Sequence, residues 1–374
     1  MIYFDNAATG GFKPRTVTDT ANTVTRFLCA NPGRSGHRLS ITGAEIVYNC
    51  RQELANMFGA KSDRVIFTKN CTEALNTAIF GTVIQGGHVI TTVFEHNSVL
   101  RPLHYLASIN KIELDVVYPT PNVSIEKAIS QKIKPNTYLV ATTSVSNVTG
   151  ARLPVEKIGE ICKSKSITYL VDGAQGGGHI PLNLYTQNIS ILCLAGHKGL
   201  LGTMGSGALI FDEKTDILPL MMGGTGSESF NLLQPENYPD RLEAGTLNLP
   251  AIASLYEGVN VVKQNLENYG EHLLEYTTKL IDGLNSINGI KCYSLANRSG
   301  IVAFLSRKIP SSELSDILSR EYDIAVRGGL HCAPLLHKFM GTQNDGLVRA
   351  SLSVQNSTRE INYFLNAIKK IQGD

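Results

Sequence analysis

Ile167-Thr-Tyr-Leu-Val-Asp-Gly-Ala-Gln175 and Ile189-Ser-Ile-Leu-Cys-Leu-Ala-Gly-His-Lys-Gly199 are two short runs of mostly apolar residues. The first ends at Asp172 and the second at Lys198, each in a glycine-rich turn. Such runs are short, rich in Ile, Leu and Val, and bounded by turn residues. They predict strands buried on both faces. The same pattern continues outward over residues 62–212, with strands predicted at 65–68, 88–94, 112–118, 138–143, 167–171, 189–194 and 207–211. Helical spacing falls between them at 73–80, 98–108, 125–133 and 155–163. This alternation predicts an α/β fold built on a mainly parallel sheet covered by helices. Ligands of such sheets bind beyond the carboxyl ends of the strands, where Asp172, Lys198, His96 and Asn147 fall.

A stretch rich in Gly, Ser and Pro at 223–239 interrupts the pattern. A long helical pattern follows at 252–284, then strands near 300–305 and 347–353 and helices near 312–321 and 358–371. These predict a large α/β domain over 12–250 and a smaller α+β domain made of 1–11 and 251–374. The first 60 residues are expected to fold back toward the smaller domain.

Composition excludes several classes. The 374 residues are 43% hydrophobic and 18% charged, with net charge +2 and no long basic run, so nucleic-acid binding has no electrostatic support. No apolar run approaches the roughly 20 residues of a membrane span. Met1-Ile-Tyr-Phe-Asp5 lacks the basic and apolar regions of a signal peptide. Seven cysteines without Cys-x-x-Cys spacing fit neither a disulfide framework nor a zinc site, and point to the reducing cytoplasm.

The polar residues at the run ends carry the chemistry. A lysine that holds an aldehyde as a Schiff base, and a carboxylate that keeps a pyridine nitrogen protonated, are what pyridoxal 5'-phosphate (PLP) requires. Lys198 and Asp172 suit those roles, and Gln175 can donate to the cofactor's phenolate oxygen. Thr68-Lys-Asn-Cys-Thr-Glu73 passes from strand to helix, so the free amides at Cys71 and Thr72, with the Thr72 hydroxyl, make an anion site for the phosphate. His197 adds a donor, and His96 is placed to stack on the ring and move protons. Cys332, in Arg327-Gly-Gly-Leu-His-Cys-Ala-Pro334, lies in a loop expected to be mobile, the setting of a reactive thiol. Arg349, amid apolar neighbours in Leu347-Val-Arg-Ala-Ser351, calls for an anion, either a substrate α-carboxylate or an internal acid. Taken singly, each has a plain alternative as a cap, a turn residue or a solvated side chain. For Lys198 and Asp172 together, the PLP reading outweighs that of a turn-capping carboxylate and a solvated lysine.

Tyr3-Phe-Asp-Asn-Ala-Ala8, Ser146-Asn-Val-Thr-Gly150, Val171-Asp-Gly-Ala-Gln175, Gly196-His-Lys198, Arg241-Leu-Glu-Ala-Gly-Thr246, the Cys332 segment and Val348-Arg-Ala-Ser351 occur in that order. The set resembles the class V aminotransferase-fold PLP enzymes over nearly the whole chain, and within them the cysteine desulfurase and selenocysteine lyase family. The segment around Cys332 is similar to the group II, SufS-like branch. The resemblance implies PLP-dependent transferase fold type I and a homodimer with its active site near the subunit interface. It implies Lys198 as the Schiff-base residue, Asp172 at the ring nitrogen, Gln175 at the phenolate and His96 over the ring. Thr72 and His197 would hold the phosphate, joined by Thr246 of the partner subunit, and Asn147 and Arg349 would bind the substrate carboxylate. Cys332 would take sulfur from L-cysteine as a persulfide, releasing L-alanine, and pass it to an acceptor protein or thiol. Selenium release from L-selenocysteine, another class V lyase or aminotransferase reaction, and a non-catalytic scaffold are the alternatives. Ala195 stands where the SufS-like pattern has a serine, Leu330 where it often has histidine, and Asn31-Pro-Gly-Arg-Ser-Gly-His37 departs from the usual run. These differences mark a distinct subfamily.

Overall fold

Successive side chains of a strand point to opposite faces of its sheet. Tyr169 and Val171 accordingly join one apolar cluster and Leu170 another, and Leu192 and Leu194 separate in the same way from Ile191 and Cys193. The computed structural model describes residues 1–28 and 30–373. In chain order it begins with β1 (Ile2–Tyr3), α1 (Arg15–Phe27), α2 (Arg38–Phe58), β2 (Val65–Thr68), α3 (Cys71–Gly81), β3 (Gly87–Thr92) and α4 (Asn97–Ser108). Then come β4 (Ile112–Val117), α5 (Ile125–Lys132), β5 (Thr137–Thr143), α6 (Val155–Ser164), β6 (Thr168–Asp172), β7 (Ile191–Ala195) and β8 (Gly207–Phe211). The remainder is α7 (Leu249–Asn285), β9 (Ile290–Cys292), β10 (Ile301–Ser306), α8 (Ser311–Tyr322), β11 (Ile324–Ala325), β12 (Arg327–Gly329), α9 (Pro334–Met340), β13 (Leu347–Ser351) and α10 (Thr358–Gln372).

Seven strands form one sheet in the order β2-β8-β7-β6-β5-β3-β4. The pairs from β7 through β6, β5 and β3 to β4 are parallel, and β8 runs antiparallel to both β7 and β2. The sheet is mainly parallel and the class α/β, as the alternation predicts. Residues of α2, α6 and α7 share one cluster with Val65, Phe67, Tyr169 and Val171, while α3 and α4 pack with Ile66, Leu170, Ile191 and Cys193 on the other face. The helix predicted from residue 73 starts at Cys71, because the Asn70 side chain accepts from the Glu73 amide at 2.9 Å and caps it.

β12-β13-β10-β9 make a second, antiparallel sheet, packed with Leu273, Leu280 and Leu284 of α7 and Phe364 of α10. The chain's start divides between the two units. β1 pairs in parallel with β11, beside the small sheet's core, but Val47, Cys50, Leu54 and Phe58 of α2 are buried with the large sheet. The expectation that the first 60 residues lie toward the smaller domain therefore fails for α2, whose apolar stripe finds its partners on the large sheet. Helix α7 enters both cores, with Leu249, Ile252 and Val259 in one and Leu273, Leu280 and Leu284 in the other. One continuous helix thus links the units.

A buried ion pair anchors the segment that carries Thr246. Arg51 of α2 forks onto Glu243 with N–O distances of 2.9 and 2.8 Å, and the Phe67 amide donates to the same carboxylate at 2.7 Å. Arg51→Ala would strand a buried carboxylate, so a stability loss of about 3–5 kcal/mol is expected in urea unfolding. A loss below about 1 kcal/mol would instead mark the pair as solvent-screened.

Candidate active site

Register sets the site. Thr143, Asp172 and Cys193 are level across β5, β6 and β7, so the ends of these strands meet the first turns of α3 and α4 at one cavity. Cys71, Thr72, His96, Asn147, Asp172, Gln175, His197 and Lys198 all line it. The structure therefore gathers eight of the residues that the sequence singles out from widely separated segments.

Asp172 is buried, and its Oδ1 accepts from the Ala174 amide at 2.9 Å and the Cys71 thiol at 3.5 Å. Among the described residues no donor reaches Oδ2. The Cys71 side chain thus turns toward Asp172, while its backbone amide stays at the start of α3. Its backbone amide, with that of Thr72, has no intrahelical acceptor. Burial lowers the pKa of the Lys198 ammonium, an effect that Asp172 opposes and Arg349 and Arg327 reinforce. Gln175 donates from Nε2 to the Ala7 carbonyl at 2.8 Å.

His96 caps α4 and accepts from the Ser98 amide at Nδ1, 3.0 Å away, which leaves the ring proton on Nε2. Burial, with Lys198, Arg327 and Arg349 nearby and Asp172 opposing, lowers its pKa to about 4. His197 behaves alike, lowered to about 4 by burial, Lys198 and Lys13, and its Nδ1 meets Thr9 Oγ1 at 3.0 Å. Ser98, which no sequence motif singles out, bridges the Thr72 hydroxyl at 2.8 Å and His96 Nδ1 at 2.9 Å. The small polar residue at the start of α4 was its signal. Thr9 carried none, being 188 residues from His197.

Cys332 is anchored where a mobile loop was expected. His331 and Cys332 have φ of +48° and +58°, a left-handed pair that costs on the order of 1–3 kcal/mol per residue. Hydrogen bonds hold it: Asn97 N–H to the Cys332 carbonyl at 2.7 Å, Asn147 Nδ2 to the His331 carbonyl at 2.6 Å, and His331 Nε2 to the Leu347 carbonyl at 3.0 Å. The turn thus stands directly beside His96, although Cys332 does not line the cavity. Arg349 is buried behind Asn147, with Nη1 donating to the Asn147 carbonyl at 2.8 Å and Nη2 to Asp5 Oδ1 at 3.0 Å. An internal acid therefore holds one arm of the fork, while Nε is buried without a partner among the described residues. Thr246 lies outside the cavity, exposed, with its hydroxyl 3.4 Å from Asn31 Nδ2.

These histidines make folding acid-sensitive. His96 and His197 are lowered to about 4 and His331 to about 2, the last mainly by burial and Arg349. Unfolded histidine titrates near 6.5, so below that pH the unfolded chain binds more protons than the folded one. The stabilising contribution is whole above about pH 6.5 and declines as pH falls toward 4, by about 1.4 kcal/mol per pH unit for each net proton. Buried Glu95, its pKa raised by burial, works in the opposite sense. Urea midpoints should therefore fall between pH 6.5 and 4, and a flat profile would contradict the burial of these rings.

The aminotransferase class-V family model matches residues 2–364. The chain belongs to this class, in the family of the cysteine desulfurases. A "probable cysteine desulfurase" of Pyrococcus abyssi is 30% identical, the alignment covering 99% of this chain and 94% of that protein. Another so described, from Methanothermobacter thermautotrophicus, is also 30% identical over 100% of this chain and 95% of the relative. Among solved structures, the apo cysteine desulfurase of Thermococcus onnurineus superposes with a TM-score of 0.92 at 29% identity, covering 100% of this chain and 94% of that one.

Proposed function

We propose that the chain is a PLP-dependent cysteine desulfurase that converts L-cysteine to L-alanine and collects the sulfur as a persulfide on Cys332. The observation that carries the reading is the meeting of Lys198 and Asp172 at one cavity with the first turn of α3. The donor set fits the cofactor. Lys198 would hold its aldehyde and Asp172 Oδ2 its ring nitrogen. Thr72, the α3 amides and His197 would hold the phosphate, with Gln175 at the phenolate. When bound, PLP supplies an electron sink for the carbon that loses its proton.

Each protein group then has a task. Arg349 Nε and Asn147 orient the substrate carboxylate. Lys198 Nζ, its pKa lowered by burial, accepts the α-proton. Cys332 Sγ attacks the substrate sulfur as a thiolate, forming the S–S bond as the C–S bond breaks. The carbon left behind gains a proton, for which the neutral His96, with its proton on Nε2, and Lys198 are the carriers. The persulfide then passes to an acceptor protein or thiol. A homodimer is part of this reading. It is supported by the exposed apolar stretch of Phe230, Leu232 and Leu233 and by the exposure of Thr246, the residue assigned to the partner's phosphate. The six described cysteines are free, which fits a cytoplasmic enzyme.

The test supplies purified protein with PLP, L-cysteine and a thiol reductant, with L-selenocysteine in parallel. Alanine and sulfide in equal amounts are expected. Alanine from selenocysteine alone would make it a selenocysteine lyase. Pyruvate, or an amino group moved to a keto acid, would assign another class V reaction.

A further inference from the structure

We propose that Cys71 is a positioning residue for the cofactor, its thiol holding one oxygen of Asp172 so that the other faces the ring nitrogen. The inference rests on the PLP reading above. Side chains alternate along β6: Leu170 faces the α3 side of the sheet, so Asp172, two residues on, emerges on that side too. The Asn70 cap begins α3 at Cys71, which sets this side chain, 7% exposed, against the carboxylate. Sγ lies 3.5 Å from Oδ1, and the Ala174 amide reaches the same oxygen at 2.9 Å.

Burial and the Asp172 charge push the Cys71 thiol pKa well up, so sulfur keeps its proton and donates it. The terminal torsion of an aspartate is soft, with two broad minima. Two donors on Oδ1 fix that torsion and leave Oδ2 for the ring. Nothing in the run Thr68-Lys-Asn-Cys-Thr-Glu73 announces this, because its spacing reads equally well as an anion site.

The experiment titrates the visible absorbance of the lysine-bound cofactor in the holoenzyme against pH. In Cys71→Ala the Asp172 torsion is freed, and Oδ2 holds the ring-nitrogen proton less firmly. A less fully protonated ring withdraws less charge from the imine, so the pH midpoint of the Lys198–cofactor linkage rises by about half a pH unit, the size an ordinary hydrogen bond confers. Cys71→Ser, whose hydroxyl can donate to the same oxygen, should restore the wild-type midpoint. Should Cys71→Ala fail to fold, Cys71→Val fills the site without a donor and carries the same expectation. An unshifted donor-free variant overturns the proposal, and so does an equal shift in the serine variant, which would mark packing alone. A wild-type protein that gains no such absorbance with PLP would overturn the cofactor reading itself, and the inference with it.

Discussion

Lys198→Ala is expected to abolish alanine formation from L-cysteine, by roughly four orders of magnitude or more, as removal of a covalent catalytic group does. The same variant should lose the visible absorbance of the lysine-bound cofactor while staying folded. Its fold is safe because Lys198 is a turn residue after β7 and its side chain makes no ion pair among the described residues. Assaying alanine and recording the spectrum on one sample separates the two roles. Alanine lost with the absorbance intact would assign Lys198 to proton transfer alone and move the covalent attachment elsewhere. Turnover within about tenfold of wild type, a barrier change of only about 1.4 kcal/mol, would remove Lys198 from the chemistry altogether.

Cys332→Ser is expected to lower sulfide release from L-cysteine by at least about a thousandfold, since a serine hydroxyl is not ionised near neutral pH and does not replace a thiolate. The cofactor absorbance should be unchanged, because Cys332 lies outside the cavity that gathers Lys198 and Asp172. The left-handed turn tolerates the exchange, its hydrogen bonds coming from backbone groups and from neighbouring side chains rather than from sulfur. Alanine production from L-selenocysteine by the same variant is the discriminating measurement, because selenium leaves more readily and depends less on a nucleophile. Full desulfurase turnover in Cys332→Ser would remove the cysteine from its assigned role and leave its strained backbone without a catalytic reason.

Strand and helix placement was legible because burial on both faces is written into neighbouring residues, as in Ile191-Leu-Cys-Leu-Ala195. Asp172 and Lys198 were legible for the same reason, being the polar residues at which such runs stop. The order of strands was less so: β8 pairs antiparallel with β2, which lies far from it in the chain, and local spacing carries no strand direction. The helical pattern of α7 could be read, but not that it would serve two cores, since an apolar stripe does not name what covers it.

The sequence by itself determined the α/β class and the candidate chemistry, because periodicity and residue type act over a few neighbours. Only the tertiary structure decided how the site is held. It pairs Asp5 with Arg349 across 344 positions, Thr9 with His197 across 188, and the Cys71 thiol with Asp172 across 101. Those contacts follow from sheet register and helix packing, in which partners distant along the chain must satisfy buried polar groups, and no local pattern encodes which partner that will be.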